Sequence, residues 1–186
     1  MVKIKPEYIA YGIAALAAVG GGYYFWRRKK VNDYLAAKAA EKTLSEEGGG
    51  MLWPCDEHTI SCGFGPRQAP TAGASTDHKG IDIAAPHGSA VYAVEDGEVT
   101  GSWLDTTYGG GNSIRIAHAD GLTSHYCHLS KRLVAKGDKV KAGDVIAMSG
   151  GTPGTEGAGT STGAHLHFAL KNNGVAFDPL TVLEKS

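Results

Sequence analysis

The hydrophobic and polar positions fall into three regimes along the chain. Tyr8 to Trp26 carries no charge and is apolar on every side. At about 19 residues it approaches the ~20 that a helix needs to cross ~30 Å of hydrocarbon. Tyr8 and Tyr11 at one end, and Tyr23, Tyr24 and Trp26 at the other, sit where interfacial aromatic belts lie. A cleaved signal peptide is the competing reading, but Arg27-Arg28-Lys29-Lys30 follows directly and no small-residue cleavage site precedes it. Gly20-Gly21-Gly22 weakens the helix from within. Residues 1–30 are therefore expected to form a membrane anchor with a basic flank. Val31 to Glu47 mixes Ala, Lys and Glu with a sparse apolar stripe, which favours a helical spacer, and Gly48-Gly49-Gly50 ends it in a flexible joint. Residues 31–50 form the second segment and 51–186 the third.

From Trp53 onward the apolar period shortens to two. Ala90–Val94, Glu98–Thr100, Asn112–Ala117, Leu122–Cys127, Val145–Met148 and His165–Leu170 read as strands separated by glycine-rich turns. Asp96-Gly97 lies between the first two and predicts a hairpin there. Asp120-Gly121 marks another turn. With little helical periodicity, the expected fold class is mainly β, an antiparallel sheet, behind the membrane helix and spacer. One sheet face packs the core and the other is free to floor a groove.

Charge adds an asymmetry. The formal net charge is -1, yet residues 1–50 hold eight Lys/Arg against five Asp/Glu. Positively charged flanks tend to stay on the cytoplasmic side, which would draw the C-terminal domain there as well. No basic stripe with interleaved aromatics occurs in the β region, so nucleic acid is not an expected partner. Glycine, at 27 residues, is about twice the usual share of ~7%, which fits many tight turns.

Two stretches carry the candidate chemistry: Asp77-His78-Lys79-Gly80-Ile81-Asp82 and His165-Leu166-His167. On a strand, residues two apart face the same way, so His165 and His167 share one surface. Asp82 falls on the alternating Ile-Asp-Ile stretch with His78 at its entrance. Brought together, the two stretches offer two His and one Asp to a cation, the ligand count of an open zinc site. One histidine is left over on the same face, and a base beside an acidified water is what metal-assisted hydrolysis needs.

Further segments extend the pattern. Ser61-Cys62-Gly63-Phe64-Gly65-Pro66-Arg67 precedes the first stretch, Tyr126-Cys127-His128-Leu129 lies between the two, and Ser161-Thr162-Gly163-Ala164-His165-Leu166-His167-Phe168 contains the last. In this order they resemble the lysostaphin-type, LytM-like zinc metallopeptidases that cleave peptidoglycan, over about Trp53 to Leu180. The resemblance implies that His78, Asp82 and His167 ligate Zn2+ and that His128 and His165 form the catalytic pair, with their division of labour open. It implies peptidoglycan peptide stems or cross-bridges as substrate, in a groove walled by the loops Thr106–Asn112 and Gly150–Gly159. The expected setting is a single-pass membrane protein, held in the lipid bilayer by residues 8–26, with its domain facing the cell wall. A virion membrane or particle is the alternative, which would reconcile the enzyme with its basic flank.

Strand alternation puts Tyr126 and His128 on one face, toward the groove, and Cys127 and Leu129 on the other. By the same count His125 lies opposite His128 and reads as structural, while His58, His87 and His118 read as surface residues. Cys55 and Cys62 are either a disulfide or free thiols, since spacing alone does not decide. Two other classes compete. Ala135 to Ala147 resembles a biotinyl or lipoyl carrier repeat, but the candidate tip Glu95-Asp96-Gly97-Glu98 lacks the required lysine. A non-catalytic wall-binding or hydrolase-activating module is the other, and the complete five-residue set counts against it.

Overall fold

The computed structural model describes residues 50–72 and 74–184. The expected anchor at 8–26 and the spacer at 31–47 lie outside these residues. Among the described residues twelve strands follow one another. The first five are β1 (Ile60–Cys62), β2 (Gly65–Pro66), β3 (Asp77–His78), β4 (Ile81–Ile83) and β5 (Ala90–Tyr92). Next come β6 (Gly97–Asp105), β7 (Gly111–Ala117), β8 (Leu122–Arg132) and β9 (Lys139–Val140). Last are β10 (Val145–Ser149), β11 (Leu166–Asn172) and β12 (Val175–Phe177).

Ten of them form one sheet with the spine β1-β4-β11-β8-β7-β6-β9. Strand β12 pairs with β11, and β10 pairs with both β8 and β5. The remaining two, β2 and β3, form a small separate ribbon. Every strand pairing is antiparallel, as the period-two pattern predicted. Ile81, Ile83, Ile114, Ile116, Tyr126, Leu166, Phe168 and Leu170 are wholly buried on the inner face. Their alternation along β4, β7, β8 and β11 supplies the core. At ~25 cal/mol per Å² of apolar surface removed from water, this face is the main source of the domain's stability.

The expected hairpin at Asp96-Gly97 does not form. Strand β5 pairs with β10, whereas β6 pairs with β7 and β9. The Asp96 carboxylate accepts bonds from the Ala142 amide at 2.9 Å and from Lys141 Nζ at 2.6 Å. It therefore ties the turn to the β9–β10 connection. The Asp-Gly signal correctly marked a turn, but the partners on either side were chosen by packing at a distance. Strand β8 is also longer than expected, continuing through His128 to Arg132.

Candidate metal centre

Register places four chemically distinctive residues in one row across the sheet. Cys62 on β1 is opposite Asp82 on β4, Asp82 is opposite His167 on β11, and His167 is opposite Cys127 on β8. Directly opposed residues project from the same face. The row therefore lies on the outer face, while Ile81, Ile83, Leu166 and Phe168 go into the core between its members. His78 reaches the row from β3, held against β2 by the pairing of Gly65 with His78.

Three atoms converge there. His167 Nδ1 is 2.8 Å from Asp82 Oδ1, His78 Nε2 is 3.1 Å from the same oxygen, and the two ring nitrogens are 3.0 Å apart. The Nδ1–H of His78 donates to the Gly63 carbonyl at 2.7 Å, which leaves its Nε2 as a lone pair. Two nitrogens and a carboxylate oxygen thus point at one spot. For a tetrahedral zinc with bonds of ~2.0–2.1 Å the ligand atoms lie about 3.3 Å apart, so this donor set fits such an ion with a few tenths of an ångström of expansion. The Asp82 carboxyl is buried, which by itself would raise its pKa. The hydrogen bonds and charges of His167 and His78 overcome this and hold it well below the usual carboxylate range. Burial pushes the His167 imidazole down, against the pull of Asp82. Both effects favour the unprotonated forms that a cation requires.

Arg67 completes the support of Asp82. Its Nη1 donates to Asp82 Oδ2 at 3.0 Å and also to Cys62 Sγ at 3.0 Å. The second carboxylate oxygen is thereby occupied, and Oδ1 alone is left for the converging site. Arg67 lies in a segment that the sequence singled out, but nothing in its local pattern assigned it this contact.

His128 arrives by a route that alternation did not foresee. Between the pairs Ile114–Tyr126 and Asn112–Leu129, β8 holds one residue more than β7. His128 takes up this bulge with φ 59, the left-handed region. The extra residue turns its side chain onto the outer face. Tyr126 is correspondingly on the inner face, opposite Phe168 and wholly buried, with its hydroxyl accepting from the Val94 amide at 3.2 Å. The expectation of Tyr126 toward the groove and Cys127 toward the core is thus reversed, because a bulge resets the two-residue period.

The same reversal brings His125 to the groove side. It stacks on Trp103 with ring centroids 5.4 Å apart, and its Nε2 is 3.6 Å from Cys127 Sγ. Burial pushes its pKa down to about 3 and pushes the Cys127 thiol up to about 12. His118 is half-buried rather than superficial, bonded to Ser124 Oγ at 2.7 Å and to the Asp96 carbonyl at 2.9 Å. His87 and His58 are exposed as expected, the latter stacked on Trp53. Cys55, Cys62 and Cys127 are all free thiols.

His128 and His165 face each other beside the converging atoms, with ring centroids 4.6 Å apart. His165 Nε2 lies 3.8 Å from Asp82 Oδ1. Each ring is oriented by a carbonyl: His128 Nδ1–H donates to Ala158 at 2.7 Å and His165 Nδ1–H to Gly163 at 2.9 Å. Both Nε2 atoms remain free to accept a proton. Burial, reinforced by the neighbouring imidazoles, pushes the His128 pKa down to about 4, so it is neutral at pH 7. All five expected site residues therefore meet in one open trough. One half is a cavity of about 390 Å³ bounded by Arg67 and the Ser161–His165 loop, and the other half runs past Asp105, Tyr108 and His125.

The model of peptidase family M23 matches residues 76–179. The peptidoglycan DD-endopeptidase ShyC of Vibrio cholerae is 37% identical over 130 residues, covering 69% of this chain and 28% of its own. A crystal structure of a zinc-containing peptidase from Vibrio cholerae superposes with a TM-score of 0.61 at 34% identity, over 72% of this chain and 40% of that one. The catalytic domain of lysostaphin from Staphylococcus simulans gives a TM-score of 0.56 at 36% identity, over 66% of this chain and 90% of that one. The chain spans about a third of the length of the curated relatives it matches. With the matched family model covering more than half of the sequence, from Asp77 and His78 through His167, the chain belongs to peptidase family M23.

Proposed function

We propose that the chain is a zinc endopeptidase that hydrolyses peptide bonds in the stems or cross-bridges of peptidoglycan. The observation that carries this reading is the convergence of His78 Nε2, Asp82 Oδ1 and His167 Nδ1 within 3.1 Å of one another, with two further imidazoles alongside. His78, Asp82 and His167 would hold the metal. A zinc ion in that position supplies a Lewis acid that polarises a carbonyl and acidifies water at neutral pH.

The remaining chemistry belongs to His128 and His165. One of them takes the water's proton at its Nε2, and the other hydrogen-bonds the developing oxyanion or delivers a proton to the leaving amine. Whichever becomes cationic is stabilised by the carbonyl that already accepts its Nδ1–H, Ala158 for His128 and Gly163 for His165. Arg67 holds Asp82 in place throughout. The trough is open along its length, as a branched and cross-linked polymer requires.

The reading extends to location. Residues 8–26 would anchor the protein in a bilayer and residues 31–50 would carry the domain toward the wall, in a cell envelope or in a virion. Immunogold labelling or protease-accessibility mapping tests this, and a domain found only in the cytosol overturns it.

The activity is tested with the full chain in detergent on purified peptidoglycan, with fragments identified by mass spectrometry. Zinc-loaded protein is expected to release peptide-cleaved fragments, and a chelator to abolish release. His165→Ala is expected to lower the rate by about 10² to 10⁴-fold. Zinc-loaded, folded protein that releases nothing from walls of several chemistries would replace this reading with wall binding or activation of another hydrolase.

A further inference from the structure

The row that carries Asp82 and His167 begins with Cys62, a residue to which the proposed reaction gives no task. Cys62 is the register partner of Asp82, half-buried, and lines the trough. Its Sγ lies in a cluster in which one donor atom each from Cys62, His78 and Asp82 are within 4.8 Å of one another. Its hydrogen-bond partners among the described residues are Arg67 Nη1 at 3.0 Å and the Gly63 carbonyl at 3.8 Å. A zinc–sulfur bond of ~2.3 Å beside zinc–nitrogen bonds of ~2.0 Å puts the ligand atoms about 3.6 Å apart. Sγ, within 4.8 Å of the His78 and Asp82 donor atoms, therefore has to move closer to them, and a half-buried cysteine has a single side-chain torsion with which to do so.

We propose that the Cys62 thiolate is a fourth protein ligand, which closes the metal site of the resting protein together with His78, Asp82 and His167. The inference rests on the zinc reading above. Four protein ligands of the Cys, His and Asp types make a closed tetrahedral site, whereas a hydrolytic site keeps one position open. Substrate or water then has to displace the sulfur before turnover. On ligation the thiol proton would leave to solvent, and the sulfur would take the fourth position in exchange for a water that also leaves to solvent. Arg67 suits this arrangement because its guanidinium already touches both Sγ and Asp82 Oδ2, offsetting the second anionic ligand. Cys127, at the far end of the row, is set apart by the two intervening strands β4 and β11. At ~4.8 Å per strand it is too far from Cys62 for a disulfide.

The test replaces zinc by Co2+ in the full chain and reads its absorption. Wild type is expected to give visible bands of tetrahedral cobalt together with an intense near-ultraviolet sulfur-to-cobalt charge-transfer band. Cys62→Ala should lose the ultraviolet band, keep visible absorption, retain zinc against a chelator at least about tenfold less well, and hydrolyse wall peptides faster once zinc is saturating. Cys127→Ser should keep both sets of bands. Visible bands in wild type without the charge-transfer band, or a charge-transfer band that vanishes in Cys127→Ser instead, overturns the role of Cys62 and leaves the zinc reading standing. Absence of any cobalt spectrum that depends on His78 overturns both.

Discussion

Residue by residue, the site depends on how each ring is aimed. His165 and His167 were legible because they share one strand face through a single intervening leucine, and Leu166 is indeed in the core between them. His128 was legible as a member of its motif but not in its direction, because the backbone at this residue is left-handed and no local signal announces a bulge at a histidine. The same bulge gives Tyr126 a structural task. Its hydroxyl is the acceptor for the buried Val94 amide. Tyr126→Phe should therefore leave that N–H unpaired and cost about 1–3 kcal/mol of stability. Urea titration should find a lower midpoint, while the turnover rate of zinc-loaded protein stays at the wild-type value. A large loss of turnover at unchanged stability would instead place Tyr126 in the reaction.

Among the elements, the two expected groove walls act as a unit. The Asn112 amide donates to the Gly157 carbonyl at 2.8 Å, and the Thr160 amide donates to the Gly109 carbonyl at 2.8 Å. Between these bonds lies Ala158, whose carbonyl orients His128. Gly157 has φ +78, and a Cβ there would run into the Asn112 side-chain amide and meet the Leu129 carbonyl oxygen at 2.6 Å. Gly157→Ala has to part the two loops, and Ala158 moves with them. A displacement of about 1 Å at a catalytic group lowers rates by about 10²-fold. Steady-state kinetics should therefore find the loss in kcat, with bound zinc unchanged because none of the proposed ligands His78, Asp82 and His167 sits on either loop. A fall in zinc content with kcat per zinc intact would refute the linkage. Glycine richness in both loops could be read from the sequence, but their mutual hydrogen bonding could not, since they are separated by some forty residues.

At the scale of the whole molecule, the row from Cys62 to Cys127 crosses strands drawn from distant parts of the chain. Asp82 and His167 are adjacent only because β4 and β11 pair, and His78 joins them through a separate ribbon. A metal held there links these parts in the native state alone. At a metal concentration about 100 times its Kd this contributes ~2.7 kcal/mol, so chelation should lower Tm by roughly 5 to 10 °C. The far-UV circular dichroism at 25 °C should persist, because the core on the opposite face does not depend on the ion. Loss of β-structure on chelation at 25 °C would show that the metal is part of the fold rather than seated on it.

The sequence by itself determined that the chain from Trp53 onward is built of antiparallel strands, and it singled out the five residues that the sheet brings together. Period-two alternation, turn residues and the spacing within His-x-x-x-Asp and His-x-His are local properties, set by bond geometry over a few residues. The tertiary structure alone decided that β5 pairs with β10 rather than β6, that Arg67 bridges Asp82 and Cys62, and that His128 reaches the outer face through a bulge. Each of these depends on how strands pair: β5 with β10, β1 with β4 beside Arg67, and β8 with β7 at the bulge. Their free energy comes from packing and register across the whole sheet, which no local pattern encodes.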